Sequence, residues 1–359
     1  QNLPHEKYDF SAVKVELNNQ SQLTYEEFLK ITDTDALIIL KDGIIIEERY
    51  FHEMTRSTPH ILMSVSKSIL GLLIGILIDQ KIFKTADKVC AILPELNSTA
   101  YKEATIRDLL DMRTGVTFVE DYLATSGLMI DYRKATNWNP LENNESPSDL
   151  RSFYRLLDKK SHPDGKQFNY VSPNSDLLGW IIERSTGERF SDLLSDLFWK
   201  PLGATMPSYI TVDRLGAPRV AGGLCTTAID LALVGQLFLD YGFTNDQQIL
   251  PKNWLQDIQE NGSREAWLEG NFAEYFPNRD MHYRSKWYVD HGANDSKAEL
   301  VFGLGVHGQN LFINSKNRIV IAKFSSQAAP LDPHLIPMTC KWVLSLIHIS
   351  EPTRRYLIA

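Results

Sequence analysis

An α/β fold is the class this sequence predicts, and three stretches predict it. Residues 36–40 and 44–46 are two apolar, strand-like runs on either side of a Lys41-Asp42-Gly43 turn. Residues 60–79 carry the longest apolar run, which reads as a helix starting near Ser64 and buried on nearly all sides. Residues 301–313 read as a glycine-interrupted strand, with a further strand at 319–322. At 359 residues the chain exceeds the usual size of one compact core, so two lobes or a large insertion are expected.

The hairpin comes first in the chain, and its second strand is expected to continue to Tyr50. Pro59 then marks an extended or turn segment before the helix. About twenty apolar residues can span a bilayer. Lys67 and the serines at 64, 66 and 68 make a buried core helix the better reading. On that helix Lys67 lies one turn from Ser64, on the same face. A buried lysine pairs or loses its proton, and a neutral amine beside a hydroxyl is a general base beside a nucleophile. A helix N-terminus adds backbone N–H groups suited to a developing oxyanion. A Ser-x-x-Lys spacing also arises by chance, so the rest of the chain has to support this reading.

Thr105 reads as the cap of a short helix over 105–112, with Gly115 as its stop. Residues 120–147, with Trp138, Asn139, Pro140, Asn143 and Asn144, read as a long loop that could line a cleft or simply cross the surface. Residues 163–174 are turn-rich and precede a helical pattern over 177–183, which puts Tyr170 in a loop just before a helix. A phenol near a lysine can relay a proton to a leaving group. Gly222-Gly223-Leu224 precedes Thr226-Thr227 and a core helix. Residues 244–300 are polar on the whole, with Trp254, Trp267 and Trp287 scattered through them, and suggest no chemistry. His307, in the glycine-rich strand, is a lone histidine whose role is as readily structural as catalytic.

The totals exclude several classes. Lys and Arg number 37 against 45 Asp and Glu, a net charge of −8, which argues against a nucleic-acid or anionic-membrane partner. Three cysteines, Cys90, Cys225 and Cys340, allow at most one disulfide and have no metal-ligand spacing. No His-Glu-x-x-His occurs, so a metallohydrolase has little support. No Gly-x-Ser-x-Gly elbow is present either. The chain begins at Gln1 and shows no signal peptide, leaving cytoplasmic and periplasmic locations both open. Residues 344–354 resemble a translated sequencing adapter, so a native helix is expected to end near Val343 and a foreign tail to occupy 344–359.

Together, Ser64-Val65-Ser66-Lys67, the Thr105 to Gly115 segment, Tyr170-Val171-Ser172 and Gly303-Leu304-Gly305 resemble the serine β-lactamase and penicillin-binding-protein superfamily. The likeness runs from about Ala36 to Val343 and is nearest to class C-like members, among them family VIII carboxylesterases and 6-aminohexanoate-dimer hydrolases. Ser172 stands where class C enzymes have the asparagine of Tyr-x-Asn, and Gly303-Leu304-Gly305 stands where they have Lys-Thr-Gly. In that family the lysine helps hold a β-lactam carboxylate, so its absence favours esters or small amides.

The resemblance implies an antiparallel sheet flanked by helices, with an α/β lobe from 1–75 and 285–343 and a mainly helical lobe from 76–284. It implies acyl transfer with Ser64 as nucleophile, Lys67 and Tyr170 as proton carriers, and an oxyanion held by the backbone N–H groups of Ser64 and Val306. Ser172, His307 and Trp138 are the further residues expected near substrate or behind the site. The expected activity is a serine hydrolase of carboxylic esters and small linear amides. A β-lactamase, a D-amino-acid peptidase and a non-catalytic binding protein on the same fold are the alternatives. No metal or organic cofactor is expected. The expected partner is a small-molecule ester or amide, with no nucleic acid or membrane, and with a homodimer left open.

Overall fold

The computed structural model describes residues 3–18, 21–292 and 298–349. Its centre is a seven-stranded sheet of β1 (Thr34–Lys41), β2 (Ile44–Tyr50), β3 (Met281–Arg284), β4 (Trp287–Asp290), β5 (Leu300–Gly305), β6 (Gln309–Asn314) and β7 (Ile319–Ser325). The strands lie in the order β3-β4-β5-β6-β7-β1-β2, and every neighbouring pair is antiparallel. Asp42 and Gly43 both have positive φ, 50° and 78°, as the tight turn between β1 and β2 requires.

Both faces of the sheet are covered. Ala36, Ile38, Leu40, Val320, Ala322 and Phe324 share one core with α1 (Val65–Asp79), α2 (Pro173–Thr186) and α3 (Ala228–Leu239). Leu37, Ile39, Ile319 and Ile321 face the other way, toward Trp342 and Val343 of α4 (Leu335–Ile349). Two buried faces explain why 36–40 is apolar throughout instead of alternating. The first core also holds the helical layer around Leu109, Phe153 and Ile181. Among the described residues no helix is long and apolar enough to cross a membrane.

Two expectations change. Residues 301–313 form two strands, not one: β5 and β6 make a hairpin about Val306–Gly308, where His307 and Gly308 have φ of 62° and 85°. Apolar residues continue on both sides of that turn, and they mask it. The 120–147 loop contains a helix, Leu128–Ala135, which buries Met129, Tyr132 and Ala135. It has no side-chain N-cap, so its start carries no cap signal in the sequence. The first six residues of the expected tail, 344–349, continue α4, with Leu346 and Ile347 buried beside Trp342. Residues 350–359 of the expected tail lie outside the described residues.

Candidate active site

Ser64 is set in place by a small sheet. His60–Ile61 pairs with Leu224–Thr226, and the Leu62 N–H continues the contact to Leu224 O at 2.8 Å. Met63 then takes a φ of 47°, a conformation that costs energy for a side-chain-bearing residue. Ser64 is the N-cap of α1, yet its side chain accepts no capping hydrogen bond from the helix. Its Oγ instead lies 2.7 Å from Lys67 Nζ.

Lys67 is 1% exposed, and its Nζ makes a second hydrogen bond to Ala221 O at 2.6 Å. Burial lowers its pKa from 10.5 to about 7; Glu120 and Asp176 oppose that shift, whereas Arg219 adds to it. Near neutral pH a sizeable share of the amine is therefore unprotonated and able to take the Ser64 proton. Tyr170, in the loop before α2, places its ring 5.1 Å below Lys67 Nζ and stacks on Phe272 at 4.8 Å. Its hydroxyl is near enough to Ser64 and Tyr288 for both hydroxyls to favour its ionised form. Burial first, then the Glu120 charge, pushes this phenol above its usual range. It remains a proton donor, suited to relay work rather than to acting as an anionic base.

The glycines of β5 bring it close to the start of α1 around Ser64. A Cβ on Gly303 would lie 2.7 Å from Ser68 Oγ, and one on Gly305 would lie 2.7 Å from Leu62 O and 3.0 Å from Met63 Cβ. Both contacts are too close for a side chain. This approach puts Val306 and Ser64 on the same cleft. The cleft encloses about 610 Å³, including its open mouth, and is walled by Tyr122, Phe272, Phe276, Tyr288, Leu304 and Ile336 among others. None of the described residues lining it is Lys, Arg or His.

The remaining expected residues do not line the cleft. Ser172 Oγ donates to the Glu120 carboxylate, and Ser172 N–H donates to Glu120 Oε2 at 2.6 Å. The His307 ring meets Gln327 O at 2.7 Å and holds the β5–β6 turn. Trp138 is exposed; its indole N–H is 3.4 Å from Thr211 Oγ1, and the Arg219 guanidinium lies 4.9 Å from its ring centroid.

Sequence reasoning missed Glu120 and Tyr122, whose hydroxyl donates to Glu120 Oε1 at 2.6 Å. The available signal was the serine of Tyr170-Val171-Ser172, a side chain short enough to leave space for a carboxylate. It also missed the aromatic wall, which comes from the 244–300 stretch. Among the described residues no cluster of three or more His, Cys, Asp or Glu side chains could hold a metal ion.

The Beta-lactamase family profile matches residues 28–336. A 6-aminohexanoate-dimer hydrolase from Paenarthrobacter ureafaciens is 32% identical over 309 residues, covering 86% of this chain and 76% of its own. Among solved structures, a Bacillus anthracis protein assigned as a 6-aminohexanoate-dimer hydrolase superposes with a TM-score of 0.86 at 25% identity, over 97% of this chain and 88% of that one. A family VIII carboxylesterase shares the fold, with a TM-score of 0.61 at 13% identity over 86% of this chain and 92% of its own.

Proposed function

The chain belongs to the beta-lactamase family of hydrolase-bearing folds, and from that premise we propose that it is a serine hydrolase of carboxylic esters and small linear amides, working through an acyl-enzyme on Ser64. The observation that carries this reading is the 2.7 Å contact between Ser64 Oγ and a buried Lys67 amine whose pKa is lowered to about 7. Neutral Lys67 takes the Ser64 proton as Oγ attacks the carbonyl carbon. The oxyanion is held by the Ser64 and Val306 N–H groups. As the carbonyl re-forms, the leaving group departs with a proton from the Tyr170 phenol, which regains one from the Lys67 ammonium. Water then cleaves the acyl ester: Lys67 accepts its proton as it attacks, and returns that proton to Ser64 Oγ as the acid departs.

The wall of the cleft supports extended esters and amides with apolar chains over β-lactams. A β-lactam carboxylate needs a cation, whereas Phe272, Phe276, Leu304 and Ile336 offer an apolar surface.

The test is a panel of p-nitrophenyl esters, 6-aminohexanoate dimer and nitrocefin, run on the wild type and on Ser64→Ala. Ester or dimer turnover that vanishes in Ser64→Ala is the expected result. Turnover retained in that variant removes Ser64 as nucleophile, and nitrocefin as the best substrate replaces this reading with a β-lactamase.

A further inference from the structure

Lys67 is anchored on the side away from the cleft by a chain of buried contacts that the acyl-transfer scheme leaves unused. Its second hydrogen bond goes to Ala221 O at 2.6 Å, and Ala221 N–H in turn donates to Asp176 Oδ1 at 2.8 Å. The other Asp176 oxygen accepts from the Arg219 guanidinium and from the Tyr132 hydroxyl. Arg219 is held between two rings, 4.6 Å from the Tyr132 centroid and 4.9 Å from that of Trp138. Its own backbone carbonyl accepts from Gly222 N–H and Gly223 N–H, closing the turn that carries Ala221. Asp176 and Arg219 are 4% and 6% exposed.

We propose that the Asp176–Arg219 pair is a positioning device for the general base: through the Ala221 segment it fixes the direction in which the Lys67 amine presents its lone pair to Ser64. This inference rests on the reading of Lys67 as base. A neutral amine has two hydrogens and one lone pair, and it rotates freely about the bond to its chain. With one hydrogen held on Ala221 O, that rotation is restricted and the lone pair can face Ser64 Oγ at 2.7 Å. The two glycines after Ala221 have no side chains to brace the segment, so the brace has to come from elsewhere. Asp176 supplies it from the first turn of α2, the same helix start that Tyr170 precedes, where a carboxylate also suits the helix dipole.

The pair has an electrostatic consequence as well. Asp176 holds the Lys67 pKa up and Arg219 holds it down, so the two act in opposite directions. The other groups at that point are Glu120, which favours the ammonium, and the Tyr170 ring below it; Lys286, from the β3–β4 turn, is itself buried, and burial and the Lys67 charge hold its own pKa well below the usual lysine value.

Asp176→Asn tests both roles. It keeps an amide oxygen for Ala221 N–H and deletes the charge that offsets Arg219. The expected result is an acidic limb of the kcat/KM profile moved at least about 0.5 pH unit lower, with Arg219→Gln added to it bringing the limb back. A folded Asp176→Asn enzyme with an unmoved limb overturns the proposal. If the unpaired arginine prevents folding, the neutral double variants decide. D176N/R219Q keeps the acceptor and D176A/R219Q lacks it, and kcat in the second should be roughly tenfold lower at similar KM. Equal kcat in the two also overturns the proposal. Ser64→Ala run alongside separates the layers. If it stays active, the acyl-enzyme reading falls; if it is dead and the Asp176 variants behave as wild type, only the positioning role falls.

Discussion

Among the described residues two buried lysines each meet a serine hydroxyl, and only one of the two pairs opens on the cleft. Lys67 meets Ser64, and Lys323 Nζ donates to Ser325 Oγ on β7. Both lysines are 1% exposed, and burial lowers both pKa values to about 7. The difference lies around them. Ser64 lines a cleft, sits beside the β5–β6 turn and lies near a buried phenol. Ser325 is 1% exposed, is clamped by Gln309 through its backbone N–H and carbonyl, and does not line the Ser64 cleft. A lysine with a depressed pKa beside a serine is therefore not a site. Access for a carbonyl and donors for an oxyanion turn the pair into one.

The largest effect should separate the two lysines. Lys67→Met removes the base and should lower kcat by about 10²–10⁴-fold. Lys323→Met should leave kcat within about threefold, because Lys323 makes no contact with Ser64 and does not line the cleft. Steady-state assays of a p-nitrophenyl ester on both variants check this, and comparable losses would erase the distinction. Next, Tyr170→Phe should lower amide turnover more than ester turnover, because an amine leaves poorly without a proton whereas a phenolate does not need one. The ratio of the two kcat/KM losses, expected to be about tenfold, is the measurement.

A smaller effect concerns stability. A lysine whose folded pKa lies below its unfolded value binds fewer protons when folded. Stability should thus rise with pH from about 7 toward about 10.5 and fall again as the pH is lowered through that window. Lys323→Met should flatten this slope, read as urea midpoints at pH 7 and 9, without lowering the midpoint at pH 7. The smallest effect is Thr105→Ala, expected to cost about 1 kcal/mol by breaking a capping box in which Thr105 accepts from Asp108 N–H and the Asp108 carboxylate accepts from Thr105 N–H.

What the sequence shows and what it hides follow from range. Asp42-Gly43, Thr105 and the Ser64 to Lys67 spacing act within one turn of chain, and their local chemistry is readable. The glycines at 303 and 305 leave the strand open to a close approach, and Ser68 Oγ and Leu62 O make it. The β5–β6 turn was hidden because apolar residues on both sides of it face covered sheet surfaces. Asp176 and Arg219 are 43 residues apart, and Ser172 and Glu120 are 52 apart. No periodicity records such pairings, because they depend on how α2 packs against distant loops. The aromatic wall has the same origin: Phe272 and Tyr288 belong to a stretch whose local pattern is polar, and tertiary packing alone brings them beside Tyr170.

The central claim is that Ser64, and not the equally paired Ser325, is the activated nucleophile. A fluorophosphonate probe followed by peptide mass spectrometry tests it directly, because the probe reacts only with an accessible, activated hydroxyl. The expected result is a single adduct on Ser64, forming faster as the pH rises through about 7 and absent in Lys67→Met. No adduct, or an adduct on another serine with Ser64 unmodified, would contradict it and favour a binding protein on the same fold.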